Sequence, residues 1–178
     1  VSTDDDQIAA ISKASGVEII ERPKHLATDT ASTESVIEHA IPLIKPNPDI
    51  LILLQPTSPL RPKGSLEIAI NKFIDGNYDS FLSLSPTHNF FWSINKNYAK
   101  AKYDFNNRPR RQDIVESKMN YVENGSIYIF TTKNFNSTKN RLGGNIGYII
   151  FDEEFSHEVD TPQDLKILEQ ISRDLINN

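Results

Sequence analysis

The feature that most constrains the fold is a continuous apolar run from Ile50 to Leu54. The run is too short to cross a membrane, and it is typical of a strand that is buried on both faces of a parallel sheet. We therefore predict a buried strand over 49–54, with its ligand-facing end at Gln55.

Strands and helices alternate on both sides of this run. Helix signals include Ser2 or Thr3 as a first cap, Gly16 as a stop, and Thr161 before Pro162 as the start of a final helix. The predicted strands are 17–20, 49–54, 80–85, 121–130 and 145–151, and the later predicted helices are 33–44, 65–74, a turn at 132–135 and a helix from Thr161. This order predicts a single α/β domain over 1–178, built as an open, mostly parallel sheet with helices on both faces. Residues 86–120 break the alternation and are expected to form an arm outside the sheet.

Composition excludes several classes of function. The net charge of −5 gives no overall positive field for nucleic acid, and no apolar stretch reaches membrane-spanning length. The chain has no cysteine, which excludes disulfides, thiolate metal sites and a cysteine nucleophile. A cytoplasmic location is compatible with this composition.

The loop 55–61, Q-P-T-S-P-L-R, directly follows the most apolar strand. In an open α/β sheet, ligands bind beyond the carboxyl ends of the strands, and this loop places polar side chains there on a proline-stiffened backbone. The same residues could also form an ordinary turn that leads into a helix. The local sequence leaves both interpretations open.

Three further groups have a functional and a structural interpretation. Arg110 and Arg111 could bind an anion or be a solvated basic stretch. Glu158 and Asp160 could bind a cation or complement the dipole of the final helix. Asn124, in the pair Asn-Gly, could contact a ligand or form a turn.

Taken in order, these motifs resemble the CMP-N-acylneuraminate synthetase (acylneuraminate cytidylyltransferase) family. The matching segments are V-S-T-D-D at 1–5, R-P-x-x-L-A-x-D-x-A-S-T at 22–33, Q-P-T-S-P-L-R at 55–61, R-R-Q-D at 110–113, N-G-S-I-Y-I at 124–129 and V-D-T at 159–161. The resemblance extends over nearly the whole chain, and Thr33 keeps the hydroxyl of the serine that ends the second motif.

The resemblance implies a Rossmann-like nucleotidyltransferase that joins CTP to a nine-carbon acidic sugar, with Mg²⁺ and release of pyrophosphate. It implies catalytic roles for Gln55, Arg111 and Asp160. The implied nucleotide-binding residues are Arg22, Ala31 and Thr33; the sugar-binding residues are Gln55, Thr57, Ser58, Arg110, Arg111 and Asn124; and the metal ligands are Asp160 and Glu158. Glu158 stands where the family has aspartate, which leaves its contact with the metal open.

The resemblance also implies a homodimer through the arm 86–120, and partners limited to CTP and the sugar. The family's N-terminal strand and its Gly/Arg/Lys triphosphate loop have no counterpart in these residues, so we expect the chain to be N-terminally incomplete and inactive alone. The acceptor could be a sialic, legionaminic, pseudaminic or other ulosonic acid. A non-catalytic relative that retains the fold is the alternative outside enzymes.

Overall fold

The computed structural model describes residues 1–115 and 119–177. Its strands are β1 (Ser2–Thr3), β2 (Ile20–Glu21), β3 (Ile50–Leu53), β4 (Ser80–Thr87), β5 (Trp92–Asn95), β6 (Tyr98–Ala101), β7 (Asn120–Thr131) and β8 (Ile146–Ile150). Its α-helices are α1 (Asp6–Ala14), α2 (Thr33–Ala40), α3 (Ser65–Asp75), α4 (Thr132–Thr138) and α5 (Pro162–Asn177). The elements follow the predicted order, with small shifts of their ends.

A four-stranded sheet in the order β3–β7–β4–β8 forms the centre. Strand β7 runs antiparallel to both β3 and β4, while β4 and β8 are parallel. Strands β3, β4 and β8 therefore point the same way, and β7 is the reversed strand between them. The α/β class is confirmed. The sheet is mixed: three of its four strands point the same way, but only the pair β4–β8 is parallel.

Helices cover both faces of this sheet, as predicted. On one face, Ala69 and Phe73 of α3 pack against Phe81, Ile127 and Ile129. On the other face, Ile37 and Ile41 pack with Phe130 and Phe135. Each fully buried aromatic or branched side chain contributes about 1.5–3 kcal/mol by leaving water, so the two faces fix the register of β7.

The prediction that 49–54 is buried on both faces is wrong. Strand β3 pairs with β7 alone and lies at the edge of the four-stranded sheet. Ile50 is 41% exposed and Ile52 is 40% exposed. An apolar run indicates that a strand is at least partly buried. Whether the strand lies at the edge of the sheet depends on which distant segments pair with it.

Other differences concern element ends. Strand β2 is confined to Ile20–Glu21 and pairs in parallel with β1 as a separate two-stranded sheet. The cap of α1 is Asp5, whose carboxylate accepts hydrogen bonds of 2.8 Å from the N–H groups of Gln7 and Ile8. Ser2 and Thr3 cannot cap because they form β1. After α2, the chain tightens into a 3-10 turn at Ile41–Leu43, where Pro42 lacks the N–H that a longer helix requires.

The arm contains an unpredicted antiparallel hairpin of β5 and β6. Lys96 turns between the two strands with a positive φ of 53°. All side chains of β5 are exposed, and those of β6 are exposed except for the half-buried Ala101. None of the helices in the described part of the chain has the length and apolarity that a membrane crossing requires.

Candidate active site

The loop 55–61 is held firmly against β7. The N–H of Ser58 donates to the carbonyl of Gln55 at 3.1 Å, which closes a turn. Arg61 donates from Nη2 to the carbonyl of Ser58 and from Nε to Oγ of Ser126. The side chain of Ser58 is only 1% exposed. The loop is therefore ordered by its own hydrogen bonds and by those to β7. Gln55 and Thr57 remain partly accessible at the end of β3.

A large bulge in β7 lies next to this loop. Leu82 pairs with Tyr128 and Leu84 pairs with Glu123, so residues 124–127 oppose Ser83 alone. The Asn124 side chain is fully buried and closes the bulge. Its Oδ1 accepts from Ser83 Oγ at 2.5 Å and its Nδ2 donates to Ser85 Oγ at 3.1 Å. Both polar atoms of the Asn124 amide are thus bonded to other residues of the protein, so the structure supports a positioning role for Asn124.

Gly125 lies at the top of the bulge, where three side chains converge. Its φ of +66° is a left-handed conformation that favours glycine. A Cβ at this position would lie 2.2 Å from Oε1 of Glu158, 2.4 Å from Oγ of Ser58 and 3.0 Å from Oε1 of Gln55. The missing side chain therefore lets residues from two loops meet at the floor of one site.

The segment before α5 brings the two acidic residues to this site in different ways. The N–H of Val159 donates to the carbonyl of Thr57 at 2.7 Å, which ties the segment to the loop 55–61. Oε1 of Glu158 accepts from Ser58 Oγ at 3.1 Å. Asp160 is exposed, and its N–H donates to Oδ2 of Asp164 at 3.1 Å.

The start of α5 confirms the predicted acidic first turn. Asp164 accepts from the N–H and the hydroxyl of Thr161 at 2.7 and 2.8 Å. These hydrogen bonds from Thr161 hold the pKa of the Asp164 carboxyl below its usual range. The helix start thus fixes the backbone of Asp160 without using its carboxylate.

A charged cluster borders the bulge on the face of α2. The hydroxyl of Tyr128 donates to Oε2 of Glu123 at 2.7 Å, and the guanidinium of Arg141 lies 4.6 Å from the centre of the Tyr128 ring. Arg141 also pairs with Glu34 of α2 at 2.5 Å. Burial, followed by the bond to Glu123, raises the pKa of Tyr128 to about 12. The cluster ties the N-terminus of α2, and with it Thr33, to β7.

The predicted nucleotide-binding residues lie on a separate loop. Arg22 donates from Nη2 to the carbonyl of Ser2 at 2.5 Å and from Nε to Ser2 Oγ at 3.2 Å, which joins the two short strands. The N–H of Ala31 donates to the carbonyl of Thr28 at 3.0 Å, and Thr33 begins α2 after the cap Ser32. The loop 22–33 is therefore ordered by its own hydrogen bonds.

The two arginines of the arm differ in what they contact. Arg110 binds both oxygens of Asp113, at 2.6 and 3.0 Å, and is committed to its own turn. Arg111 reaches Oε2 of Glu153 at 3.2 Å and remains largely exposed. It lines a cavity of about 550 Å³ together with His88, Phe90, Trp92, Tyr103, Arg108 and Glu153. Arg111 is thus the more available guanidinium for an anionic ligand.

The chain has sequence relatives among cytidylyltransferases. The chain is 31% identical over 175 residues to N-acylneuraminate cytidylyltransferase B of Danio rerio, and 29% identical over 173 residues to an N-acylneuraminate cytidylyltransferase of Escherichia coli O18:K1:H7. It is also 31% identical over 177 residues to post-translational flagellin modification protein B of Campylobacter coli, of which it covers 74%. The chain belongs to the N-acylneuraminate cytidylyltransferase family.

The extent of these matches is uneven. The alignments cover 96% and 94% of this chain but only 40% of each of the two cytidylyltransferases. The chain therefore spans about two-fifths of the length of those family members. No protein-family model matches it.

Solved structures support the same fold. A CMP:2-keto-3-deoxy-manno-octonic acid synthetase complexed with CTP aligns with a TM-score of 0.65 at 17% identity, over 98% of this chain and 80% of that one. A 4-diphosphocytidyl-2C-methyl-D-erythritol synthase from Anaerococcus prevotii aligns with a TM-score of 0.62 at 11% identity, over 96% of this chain and 77% of that one. At these identities the likeness shows the α/β fold alone.

The residues present fit a hard cation in a limited way. Within 1–115 and 119–177, no group of three or more acidic or histidine side chains could enclose a metal ion. Mg²⁺ is usually held by one or two carboxylates together with water and substrate phosphates. The exposed Asp160 fits that pattern, and the exposed Glu158 fits it with one oxygen engaged, since its Oε1 accepts from Ser58.

Some site residues of this family member were not predicted from its sequence. Glu34 and Arg141 form an ion pair although they are 107 positions apart in sequence, and no local pattern predicts this contact. Tyr128 lies within the motif N-G-S-I-Y-I, where the β-branched residues Ile127 and Ile129 on either side indicate a strand and nothing more. Gly125 had one available signal, because an Asn-Gly pair inside a predicted strand indicates a bulge.

Proposed function

We propose that the complete protein is a cytidylyltransferase that joins CTP to an acidic sugar of the sialic-acid type and releases pyrophosphate. The observation that carries the proposal is the meeting of Gln55, Ser58 and Glu158 at Gly125, beyond the carboxyl end of β3. Membership of the N-acylneuraminate cytidylyltransferase family supports the choice of CTP and of an acylneuraminate-like acceptor.

The reaction needs positioning and charge neutralisation more than covalent chemistry. The anomeric hydroxyl of the sugar attacks the α-phosphorus of CTP, and the bond from that phosphorus to pyrophosphate breaks. In our proposal Gln55 hydrogen-bonds the sugar, supported by Thr57 and Ser58. Arg111 pairs with the sugar carboxylate, because a guanidinium matches a carboxylate through two parallel hydrogen bonds. Arg110 supports it from the neighbouring turn.

The nucleotide end is assigned to the loop 22–33. Arg22, Ala31 and Thr33 would hold the cytosine and its neighbourhood. Asp160 would hold Mg²⁺, which when bound neutralises charge on the phosphates. Asn124 keeps the bulge in shape, and we assign it support of the sugar site from beneath. The proposed setting is the cytoplasm.

The acceptor could also be another ulosonic acid. The relative from Campylobacter coli is named as a flagellin modification protein, and this chain covers 74% of it. That name specifies no acid, and legionaminic and pseudaminic acid are the second candidate acceptors.

We also propose a homodimer formed through the arm. The described part of the arm exposes large apolar side chains: Phe91, Trp92, Ile94, Tyr98 and Phe105 are between 41% and 80% exposed. A cluster of exposed aromatic side chains on a hairpin is typical of a protein–protein contact.

The experiment is a product assay on the purified complete protein. It would be incubated with CTP, MgCl₂ and either N-acetylneuraminic, legionaminic or pseudaminic acid, and the CMP-sugar and pyrophosphate would be quantified by chromatography. ATP and UTP serve as control nucleotides. The proposal is supported if a CMP-sugar forms with CTP and no corresponding product forms with ATP or UTP. The acid that reacts best identifies the acceptor. Absence of product with all three acids contradicts it and favours the non-catalytic alternative.

A further inference from the structure

One oxygen of the Glu158 carboxylate has a defined hydrogen-bond partner in the site. Its Oε1 accepts a hydrogen bond from the Ser58 hydroxyl at 3.1 Å, and Ser58 is itself 1% exposed. The same oxygen lies 2.2 Å from the place where Gly125 would carry a Cβ. A buried hydroxyl therefore orients Oε1 of the exposed Glu158, and the carboxylate lies over the glycine of the bulge.

Asp160 is held in a different way. Its backbone N–H belongs to the start of α5 through the bond to Asp164, while Val159 between the two acids is bound to the carbonyl of Thr57. Among the residues that the structure describes, the Asp160 carboxylate has no hydrogen-bond or ion-pair partner. One acid is thus engaged at the floor of the site, and the other is available to a cation.

The floor has a definite chemical preference. A carboxylate only accepts hydrogen bonds, and the Oε1 of Gln55 beside it is also an acceptor. Such a floor suits a hydroxyl or an N–H group of a ligand, or a cation. Binding of Mn²⁺ to variants of the two acids separates these cases. A carboxylate of the ligand would be repelled by Glu158 and is favoured beside a guanidinium such as that of Arg111, which in this structure pairs with Glu153.

We propose that Glu158 is a sugar-binding residue that accepts a hydrogen bond from a hydroxyl or amide N–H of the acceptor, and that Asp160 is the carboxylate that faces the metal ion. This rests on the proposed function, since it divides the two acids of that same site between its two substrates. The negative charge of Glu158 also helps to orient the sugar, because it repels the sugar carboxylate from its own position.

The test compares Glu158→Gln with Asp160→Asn in the complete protein. Binding of Mn²⁺ in the presence of CTP is followed by electron paramagnetic resonance, which needs no turnover. We expect Glu158→Gln to keep the Mn²⁺ dissociation constant within about twofold of wild type, and Asp160→Asn to weaken it about tenfold or more. Equal weakening in the two variants overturns the proposal.

Steady-state kinetics with the preferred acid give the second readout. Glu158→Gln should raise the KM for the acid about tenfold through loss of a charged acceptor and change the KM for CTP less than twofold. Ser58→Ala, which keeps the charge but frees the carboxylate, should raise the KM for the acid by a smaller factor. An unchanged KM for the acid in Glu158→Gln overturns the proposal. Wild-type turnover tests the proposed function separately, and the Mn²⁺ titration gives a result even if no acid is accepted.

Discussion

The hydroxyl of Tyr128 donates a 2.7 Å hydrogen bond to the carboxylate of Glu123 across the bulge of β7. The two residues pair with Leu82 and Leu84, which are separated on β4 by Ser83 alone. The bond therefore joins the two ends of the bulge through their side chains. The buried Asn124 side chain bonds β7 to β4 inside the bulge.

Burial of Tyr128, followed by this bond, raises its pKa and makes stability depend on pH in the alkaline range. The pKa of Tyr128 is raised from 10.0 to about 12, so the folded protein binds its proton more tightly than the unfolded chain does. The contribution is complete below pH 10 and is lost as the pH rises towards 12, at up to about 1.4 kcal/mol per pH unit. Tyr128→Phe should remove this part of the decline, as measured by urea unfolding between pH 9 and 11.5.

Tyr98→Phe is the matched control, because Tyr98 is 80% exposed. It should retain the wild-type decline. A Tyr128→Phe profile that parallels wild type would show that the decline comes from other groups.

Local patterns account for much of this fold. Local signals predicted the strands β4, β7 and β8 and the helices α3 and α5. Those signals are apolar periodicity, caps and proline positions, all of which depend on residues near one another in sequence. The reversed direction of β7 and the edge position of β3 depend on pairing between distant segments, such as Leu53 with Tyr128. A single sequence carries no direct signal for such pairing.

The site was predictable to a similar degree. The loop 55–61 could be placed at a strand end, and the acids at 158 and 160 before a helix. Their contact could not be foreseen, because Ser58 and Glu158 are 100 positions apart. The difference between Arg110 and Arg111 was also hidden, since it depends on where Asp113 and Glu153 lie after folding.

Arg111→Lys should act on the sugar and much less on the nucleotide. A lysine keeps the charge but cannot make two parallel hydrogen bonds to a carboxylate, so we expect the KM for the acid to rise about tenfold and the KM for CTP to change less than twofold. Initial-rate kinetics with each substrate varied in turn measure both values.

Arg173→Lys, on the exposed surface of α5, is the control and should resemble wild type in both constants. Equal increases in the two KM values of Arg111→Lys would assign Arg111 to the nucleotide.

The hairpin of β5 and β6 should carry the dimer contact. Ile94 is 73% exposed, and a charge there would be buried without a partner if the hairpin packs against a second copy. We expect wild type to be a dimer at micromolar concentration and Ile94→Asp to shift it towards monomer, as measured by light scattering. Ile74→Asp, at a 57% exposed site on α3, is the control and should remain dimeric. A monomeric wild-type protein, or a dimer unaffected by Ile94→Asp, would contradict this assignment.

Gly125→Ala tests whether the site depends on the absence of a side chain at the bulge. Two effects add at this position: the strain of a φ of +66°, about 1–2 kcal/mol for a residue with a Cβ, and the collision of that Cβ with Glu158 and Ser58. Gly64→Ala separates them, because Gly64 has a φ of +75° and nothing within 4 Å of its ideal Cβ. Both variants should lose stability in chemical unfolding, with a larger loss for Gly125→Ala. The KM for the acid should rise only in Gly125→Ala, because the Glu158 carboxylate and the Ser58 hydroxyl must move apart to admit a methyl group. Equal behaviour of the two variants in both measurements would mean that backbone strain alone explains Gly125 and that the three side chains do not converge there in solution.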